Sequence, residues 1–308
     1  MPTFDHTSVL LTEVITRLEP KPTGRYLDGT VGGAGHAAAI LEASGPTGHL
    51  FGCDQDGAAV LAASARLESF EGRFEIRQMN FVELDTWLEK GTIDGAVLDL
   101  GVSSHQFDVA DRGFSLRFDG PLDMRMDQRG PLTAADLVND LGATELADLF
   151  YKFGGESGSR AVARAIVSER RLGEIKSTLQ LAGLVERVLP RRGRTHPATK
   201  VFQALRIAVN DELGRLDRGL GVIWSLLRPG GRLAVITFHS DEARMVKLFG
   251  RSLALDYWVD GDADIPEFRR PKQAELKWVE RKAVQPTRAE ILRNSRSRSA
   301  QLRVMEKL

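Results

Sequence analysis

The sequence has 308 residues, of which 42% are hydrophobic and 27% are charged, as is typical of a globular protein with one large domain or two modest ones. Its one cysteine, Cys53, excludes a disulfide framework and a cysteine-based zinc site. The sequence has no apolar run of membrane-spanning length and no recognisable leader, so we expect a cytoplasmic protein.

The formal net charge is zero, but the charge is unevenly distributed. Residues 160–206 contain 11 lysines and arginines and 3 glutamates, and residues 269–308 contain 12 and 4. Each of these two basic segments therefore carries +8, which leaves −16 on the rest of the chain. Basic segments on an acidic body favour a polyanionic partner, although two solvated helical faces would give the same pattern.

In the first third of the chain, strand-like segments alternate with helix-like ones. After a helical pattern at 8–18, we predict strands at about 25–29, 49–54, 73–79 and 95–100, and helices at about 35–44, 57–68 and 82–90. The fourth strand is almost wholly apolar, which is typical of a central parallel strand buried on both faces. The alternation predicts a doubly wound α/β sheet.

The alternation stops after residue 100. Residues 101–131 are polar and glycine-rich, and they form a longer connection than compact domains normally use. From Thr133 onward the patterns are helical, with helices predicted from 133, at 144–152, at 157–172, at 177–189 and at 200–227. We therefore predict an inserted all-helical domain at 110–207, between two parts of the core at 1–109 and 208–308.

Strand patterns return near the end of the chain. A strand is predicted at 232–238, followed by a helix at 241–250. A terminal strand pair is predicted at 278–284 and 301–306. Between the members of that pair, residues 288–299 form a basic, serine-rich segment, which we predict to be a loop.

A glycine-rich turn at 28–36 follows the first predicted strand and opens a helix, as in nucleotide-type cofactor sites. Asp54 ends the second strand 19 residues after Gly35, a spacing that suits binding of ribose hydroxyls. The pattern G-x-G-x-x-A at 33–38 also fits a dinucleotide. Asp28, however, would repel a pyrophosphate and suit the ammonium of a methionine moiety, which favours S-adenosylmethionine over NAD. An NAD-linked oxidoreductase remains an alternative.

Six blocks of the sequence resemble the RsmH (MraW) methyltransferases. They are Asp-Gly-Thr-x-Gly-x-x-Gly-His at 28–36, Leu-Asp-Leu-Gly-Val-Ser-Ser-x-Gln at 98–106, the block from Arg-Gly-Phe-Ser to Asp-Met-Arg-Met at 112–126, Gly-Glu at 155–156, the block from His-Pro-Ala-Thr-Lys to Asn at 196–210, and the block from Pro-Gly-Gly-Arg-Leu to Phe-His-Ser at 229–240. The resemblance covers almost the whole chain. It implies a Rossmann-like, S-adenosylmethionine-dependent methyltransferase with a helical insertion, acting on N4 of a cytosine in the P-site decoding region of 16S rRNA. A non-catalytic rRNA-binding assembly factor remains an alternative.

The resemblance also implies which residues contact the cofactor: Ala34, Gly35, His36, Asp54, Phe81, Asp99 and Gln106. Asp54 would accept both ribose hydroxyls, and Phe81 would lie against the adenine. Asp99 ends the fourth strand at the switch point of the sheet, where such folds bind ligands. The plainer alternatives are that His36 packs or caps, that Phe81 belongs to the core, that Asp99 caps a turn and that Gln106 lies on the surface.

The catalytic groups are harder to assign. Many amino-methyltransferases place Asn/Asp-Pro-Pro-aromatic after strand four, but here the chain reads Asp-Leu-Gly-Val at 99–102. Asp99 is therefore the one catalytic candidate, as a group that orients the amine. Four polar residues from the family blocks are predicted to face the nucleotide, with structural salt bridges as the alternative: Asp123, Arg125, Asn210 and His239.

The predicted partner is the small ribosomal subunit, whose 16S rRNA phosphates the two basic segments would bind. The target base would leave its stack to reach the pocket. No metal ligand is predicted. The sequence does not assign a role to the acidic residues after Ser240. It also leaves the oligomeric state open, and a homodimer is one of the states that it allows.

Overall fold

A computed structural model of the chain describes residues 8–191, 193, 195–260 and 264–308. The chain forms two compact units: the first runs up to Gly101 and resumes at Leu213, and the second is Val102–Glu212. The predicted insertion, 110–207, lies inside the second unit. The unit is wider than predicted because its flanks pack within it: Phe107 meets Phe114 edge-on at 6.4 Å, and Arg206 pairs with Glu212 at 2.7 Å.

The strands are β1 (Arg25–Asp28), β2 (His49–Asp54), β3 (Phe74–Gln78), β4 (Ile93–Asp99), β5 (Leu227–Thr237), β6 (Tyr257–Val259), β7 (Arg269–Pro271), β8 (Leu276–Trp278) and β9 (Gln301–Lys307). The helices are α1 (Leu11–Leu18), α2 (Gly35–Ala43), α3 (Gly57–Arg66), α4 (Ser104–Asp108), α5 (Ala134–Asp140), α6 (Ala143–Gly154), α7 (Ser159–Glu169), α8 (Thr178–Val188), α9 (Thr199–Asn210), α10 (Glu212–Leu226), α11 (Ser240–Ala254) and α12 (Arg288–Arg293).

The first unit is built on a sheet of seven strands in the order β3-β2-β1-β4-β5-β9-β8. Strands β1 to β5 are parallel, and β9 runs antiparallel to both of its neighbours. The predicted doubly wound α/β sheet is confirmed. Since β1 connects outward to β2 on one side and β4 lies on its other side, the strand order reverses between β1 and β4, and their carboxyl ends form the edge where such sheets bind ligands.

Alternating side chains of the central strands supply two apolar layers, one on each face of this sheet. Leu98 and Val235 pack with α10 on one face, while Val97 and Ile236 pack with α1 and α2 on the other. Because both faces are covered, β4 can be almost wholly apolar. Within the described part of the chain, no helix is both long enough and apolar enough to cross a membrane.

The second unit has a helical core of its own. Its largest buried side chains include Leu146, Phe150, Ile166 and Leu205. The predicted helix start at Thr133 is confirmed: the Asp136 amide donates to the Thr133 hydroxyl at 3.2 Å, and the Thr133 amide donates to the Asp136 carboxylate at 2.7 Å. Among the residues of 102–212 that the structure describes there is no strand, only one isolated bridge between Pro121 and Ser177.

Four predicted elements differ from the observed ones. The strand predicted at 278–284 lies earlier, as β8, and of residues 279–284 only Val284 pairs, in an isolated bridge to Leu302. The helix predicted at 82–90 is a short 3-10 helix, Phe81–Thr86, closed by a capping box at Asn80. The long helix predicted at 200–227 breaks at Asp211, whose φ of 47° lies in the left-handed region. That conformation cannot continue a right-handed helix, so α9 and α10 are separate.

The prediction of a loop at 288–299 is also wrong, because the segment is helical. Thr287 accepts a hydrogen bond from the Glu290 amide and begins α12. Asn294 accepts from the Arg296 amide and begins the 3-10 helix Ser295–Ser299. A serine- and asparagine-rich composition is as typical of helix caps as of loops.

Candidate active site

The turn between β1 and α2 folds tightly because two of its residues are left-handed. Gly32 has a φ of 47° and Ala34 a φ of 59°, and the Ala34 amide donates to the Val31 carbonyl at 2.7 Å. Ala34 stands at the helix N-cap position without a side chain that could cap. The amides of Gly35 and His36 can therefore be offered to a ligand, whereas the backbone of Ala37 donates to the Asp28 carboxylate.

Two of the predicted cofactor residues also anchor the start of the described chain. A Cβ at Gly35 would collide with the Ser8 hydroxyl, so this glycine allows the segment before α1 to pass close by. His36 is 5% exposed, and its Nε2 lies 3.0 Å from the Val9 carbonyl. This packing is long-range, so the turn motif alone could not reveal it. A cofactor contact at Gly35 or His36 remains a prediction.

Asp54 ends β2 and holds the turn. Its Oδ2 accepts from the Gly32 amide at 3.0 Å, and its Oδ1 accepts from the Asp56 amide at 2.9 Å. Burial raises the pKa of Asp54 to about 6, although these hydrogen bonds act in the opposite direction. The backbone of Gln55 also donates to this carboxylate, which leaves about one of its roughly four acceptor sites for a ribose hydroxyl.

Asp28 and Asp99 end the two strands on either side of the switch point. Asp28 is 2% exposed and accepts from the Thr30 amide at 3.1 Å. Burial, together with the carboxylate of Asp54, raises the pKa of Asp28 to about 7. Thr30 also links the two strand ends, since its hydroxyl accepts from the Asp99 amide at 2.7 Å.

Of the carboxylates of Asp28, Asp54 and Asp99, that of Asp99 has the fewest hydrogen-bond partners among the described residues. Its Oδ2 lies 3.8 Å from His36 Nδ1, and its buried Oδ1 has no hydrogen-bond partner among the described residues. Burial, with the carboxylates of Asp28 and Glu242, raises its pKa well above the usual range. An orphaned buried oxygen among acids fits a cationic donor such as an ammonium.

Phe81 begins the 3-10 helix after β3. It is 9% exposed, and a Cβ at Gly219 of α10 would collide with its ring. The ring therefore belongs to the apolar core, as the plainer alternative expected. Stacking of its remaining face on adenine stays a prediction.

Gln106 belongs to the second unit, and its side-chain oxygen accepts from the Ser103 amide at 3.0 Å. That unit also holds three of the predicted nucleotide-facing residues. Arg125 forms a bidentate pair with Asp123, at 2.9 and 2.7 Å, and also donates to the carbonyls of Gln128 and Gly130. These contacts favour a structural role, and contacts with cofactor or nucleotide remain predictions.

Asn210 ends α9 and is 4% exposed. Its oxygen accepts from the Met126 amide at 2.8 Å, and its nitrogen donates to the Met124 and Arg206 carbonyls at 2.8 and 2.9 Å. The side chain thereby fixes the loop around Met124, whose φ of 61° is left-handed. A local sequence pattern could not show this long-range bond.

We expect Asn210→Ala to lower the free energy of unfolding by about 2–4 kcal/mol, because it strands a buried amide and a buried carbonyl. Chemical denaturation measures this change. If Asn210 serves the nucleotide instead, the variant will keep its stability and raise only the KM for RNA.

His239 follows β5 at the same edge of the sheet as Asp99. Its Nε2 lies 3.1 Å from Oε1 of Glu242, which is 2% exposed. Sequence reasoning left the role of Glu242 open. The sequence signal that indicates a role for Glu242 is its position three residues after His239, which is the spacing of a helix-capping acid.

The raised pKa values predict that cofactor affinity depends on pH. Below pH 6 the free protein holds protons on Asp54 and Asp28, whose pKa values are about 6 and about 7. A cationic ligand favours their ionised forms, so affinity for S-adenosylmethionine should rise from pH 5 to pH 8. Calorimetry at pH 6.5 in buffers of different ionisation enthalpy should detect proton release, and its absence would contradict this account.

These raised pKa values also make the free energy of unfolding of the ligand-free protein depend on pH. A folded state with raised carboxyl pKa values binds more protons than the unfolded chain, so its stability should fall as pH rises from about 4 to about 7. Asp28→Asn should flatten this decline, since Asp28 has a pKa of about 7.

Three carboxylates and an open helix start, gathered at the switch point of a largely parallel sheet, suit a ligand with two hydroxyls, an ammonium and a positive sulfur. A pyrophosphate would meet those acids unfavourably. The class is that of S-adenosylmethionine-dependent methyltransferases.

Comparisons with known proteins identify one family within this class. The chain belongs to the MraW methylase family, whose model matches residues 3–308. It is 48% identical over 312 residues to the ribosomal RNA small subunit methyltransferase H of Geobacter sulfurreducens, covering 99% of this chain and 100% of the relative. The protein of that name from Magnetococcus marinus is 46% identical over 312 residues, covering 99% of each chain.

Among solved structures, an rRNA methylase from Streptococcus thermophilus has a TM-score of 0.40 at 13% identity, covering 97% of this chain and 92% of the other. Nothing further rests on this likeness. The family membership sets aside the NAD-linked oxidoreductase.

Proposed function

We propose that the protein transfers a methyl group from S-adenosylmethionine to N4 of a cytosine in the P-site decoding region of 16S rRNA. The observation that carries this proposal is the full-length similarity to ribosomal RNA small subunit methyltransferases. The acids of the site support it, because Asp28, Asp54 and Asp99 are all present and placed at one edge of the sheet. An assembly factor with a decayed cofactor site would not need them.

Methyl transfer to the cytosine amine depends more on aligning its nitrogen with the methyl carbon than on activating that nitrogen. The lone pair of the cytosine amine is conjugated into the ring, so this nitrogen is a poor nucleophile. A site must align it in line with the methyl carbon and accept its proton late. We infer that Asp99, whose Oδ1 has no partner among the described residues, orients either the amine or the cofactor ammonium.

Recognition of the RNA is assigned to the second unit and to the two basic segments. Arg293, Arg296 and Arg298 are exposed on the helical segment 288–299. Arg192 and Arg194 of the first basic segment lie outside the described residues. Contacts with phosphates would position the enzyme without reading sequence. The proposed partner is the small subunit, and the proposed place of action is the cytoplasm.

Mass mapping of 16S rRNA tests the proposal in cells. Loss of this protein should remove one methyl group from one cytosine, and restoring the gene should return it. An unchanged modification map would overturn the proposal. In parallel, S-adenosylhomocysteine should bind the purified protein and NADH should not.

A further inference from the structure

The segment after β5 carries a histidine whose imidazole is not used to cap its helix. His239 stands at the N-cap of α11, yet its side chain makes no capping hydrogen bond. The amides of Phe238 and His239 donate instead to Oε2 of Glu242, at 2.8 and 3.3 Å. In α3, by contrast, the N-cap side chain of Asp56 itself accepts a backbone hydrogen bond.

Both carboxylate oxygens of Glu242 therefore face His239, one at its backbone and one at its ring. Oε2 fixes the backbone, and Oε1 lies 3.1 Å from Nε2 of the ring. The side chain of His239 is 12% exposed, and neither of its buried ring nitrogens has a well-directed hydrogen bond within the described part of the chain. A buried carboxylate beside an imidazole orients the ring and stabilises its protonated form.

This pair lies at the edge of the sheet where the cofactor acids are gathered. Ile236 pairs with Asp99 across β5 and β4, and His239 is three residues further along. The carboxylate of Glu242 is close enough to contribute to the raised pKa of Asp99. The imidazole of His239 and the carboxylate of Glu242 therefore lie at the same sheet edge as Asp99.

We propose that His239 accepts the proton that the cytosine amine loses, and that Glu242 is the positioning residue which holds the ring and stabilises it once protonated. The assignment rests on the proposed function. The N4 lone pair forms a bond to the methyl carbon while the carbon–sulfur bond breaks, and that electron pair stays on sulfur. The cationic nitrogen then passes its N–H proton to the unprotonated ring nitrogen of His239.

The test compares His239→Ala and Glu242→Gln with the wild type in methyl transfer to small subunits that lack the modification. His239→Ala should lower kcat about a hundredfold or more. Glu242→Gln, whose amide oxygen can still accept the two backbone hydrogen bonds, should lower it about tenfold or more. KM for the subunit and affinity for S-adenosylhomocysteine should stay within about twofold of wild type.

Two further measurements separate this role from a structural one. Added imidazole should restore part of the activity of His239→Ala and none of that of Glu242→Gln. The control is Glu145→Gln, which alters an acid that caps the start of α6 in the same way, and which should keep full kcat.

The outcomes are distinct. Full kcat in His239→Ala would overturn the assignment while leaving the proposed function intact. Loss of kcat with lowered stability and no rescue by imidazole would also overturn it, in favour of a structural role. A wild-type enzyme unable to methylate the subunit would overturn the proposed function and this role together.

Discussion

Replacing Asp54 by alanine is expected to weaken binding of S-adenosylmethionine by about 1.5–3 kcal/mol, which is about ten- to hundredfold. Asp54 ends β2 and holds the turn through the amides of Gly32 and Asp56. Removing it deletes the predicted ribose acceptor. The protein should stay folded, because a carboxyl group whose pKa burial raises contributes little net stability in its ionised form.

Calorimetry with S-adenosylhomocysteine measures the change. Asp54→Asn, which keeps one acceptor oxygen without the charge, should fall between alanine and wild type. Glu75→Ala is the control, since Glu75 is an exposed acid of β3 whose Oε1 lies 3.7 Å from Nε2 of His49. Equal affinities for Asp54→Ala and wild type would remove Asp54 from the site.

Neutralising Arg293, Arg296 and Arg298 together should weaken binding to the small subunit and flatten its dependence on salt. All three side chains are exposed. Each phosphate that the protein no longer neutralises lowers the slope of log K against log salt by about 0.7–0.9, so the triple glutamine variant should lose about two to three units of slope. Cofactor affinity should not change, because the glycine turn and Asp54 lie on other elements.

A second triple variant supplies the matched control. Lys21, Lys90 and Arg228 are exposed cations near the amino ends of β1, β4 and β5, at the edge away from the cofactor acids. Their replacement by glutamine should leave the salt slope nearly unchanged. If both triple variants match wild type, the segment 288–299 does not touch RNA, and the basic residues of 160–206 become the remaining candidates.

The structure also shows that two polar side chains of the segment 288–299 already form hydrogen bonds within the protein. Asn294 caps the 3-10 helix, and Ser297 is fully buried with its hydroxyl donating to the Asn294 carbonyl at 2.8 Å. Phosphate oxygens accept hydrogen bonds from arginine, asparagine and serine side chains alike. The arginines keep that role in the proposal, and Asn294 and Ser297 serve the local fold.

Periodicity predicted the sheet well, because a strand buried on both faces must be apolar and an acid at its end must lie at the ligand edge. β4 and Asp99 follow this logic, as do β2 and Asp54. Periodicity failed at Asp211, where a single left-handed residue divides two helices. Aspartate adopts that conformation more often than most non-glycine residues, but the helical spacing of apolar residues does not register it.

The site was less predictable where distant segments meet. His36 contacts the Val9 carbonyl, and Asn210 holds the backbone of Met124 and Met126. Both bonds depend on tertiary packing between residues far apart in the chain. Their residue types suggested ligand contacts, which remain predictions, and the structure adds a packing role that the sequence did not show.

The central claim is methyl transfer to 16S rRNA, and it is tested most directly with purified components. Small subunits from cells that lack this protein would be incubated with it and with labelled S-adenosylmethionine, and the rRNA would be digested and analysed by mass spectrometry. The account predicts one labelled methyl group on N4 of one cytosine in the decoding region, and a large loss of label with Asp54→Ala at limiting cofactor. Label on another nucleotide, on ribosomal protein, or on nothing would contradict it.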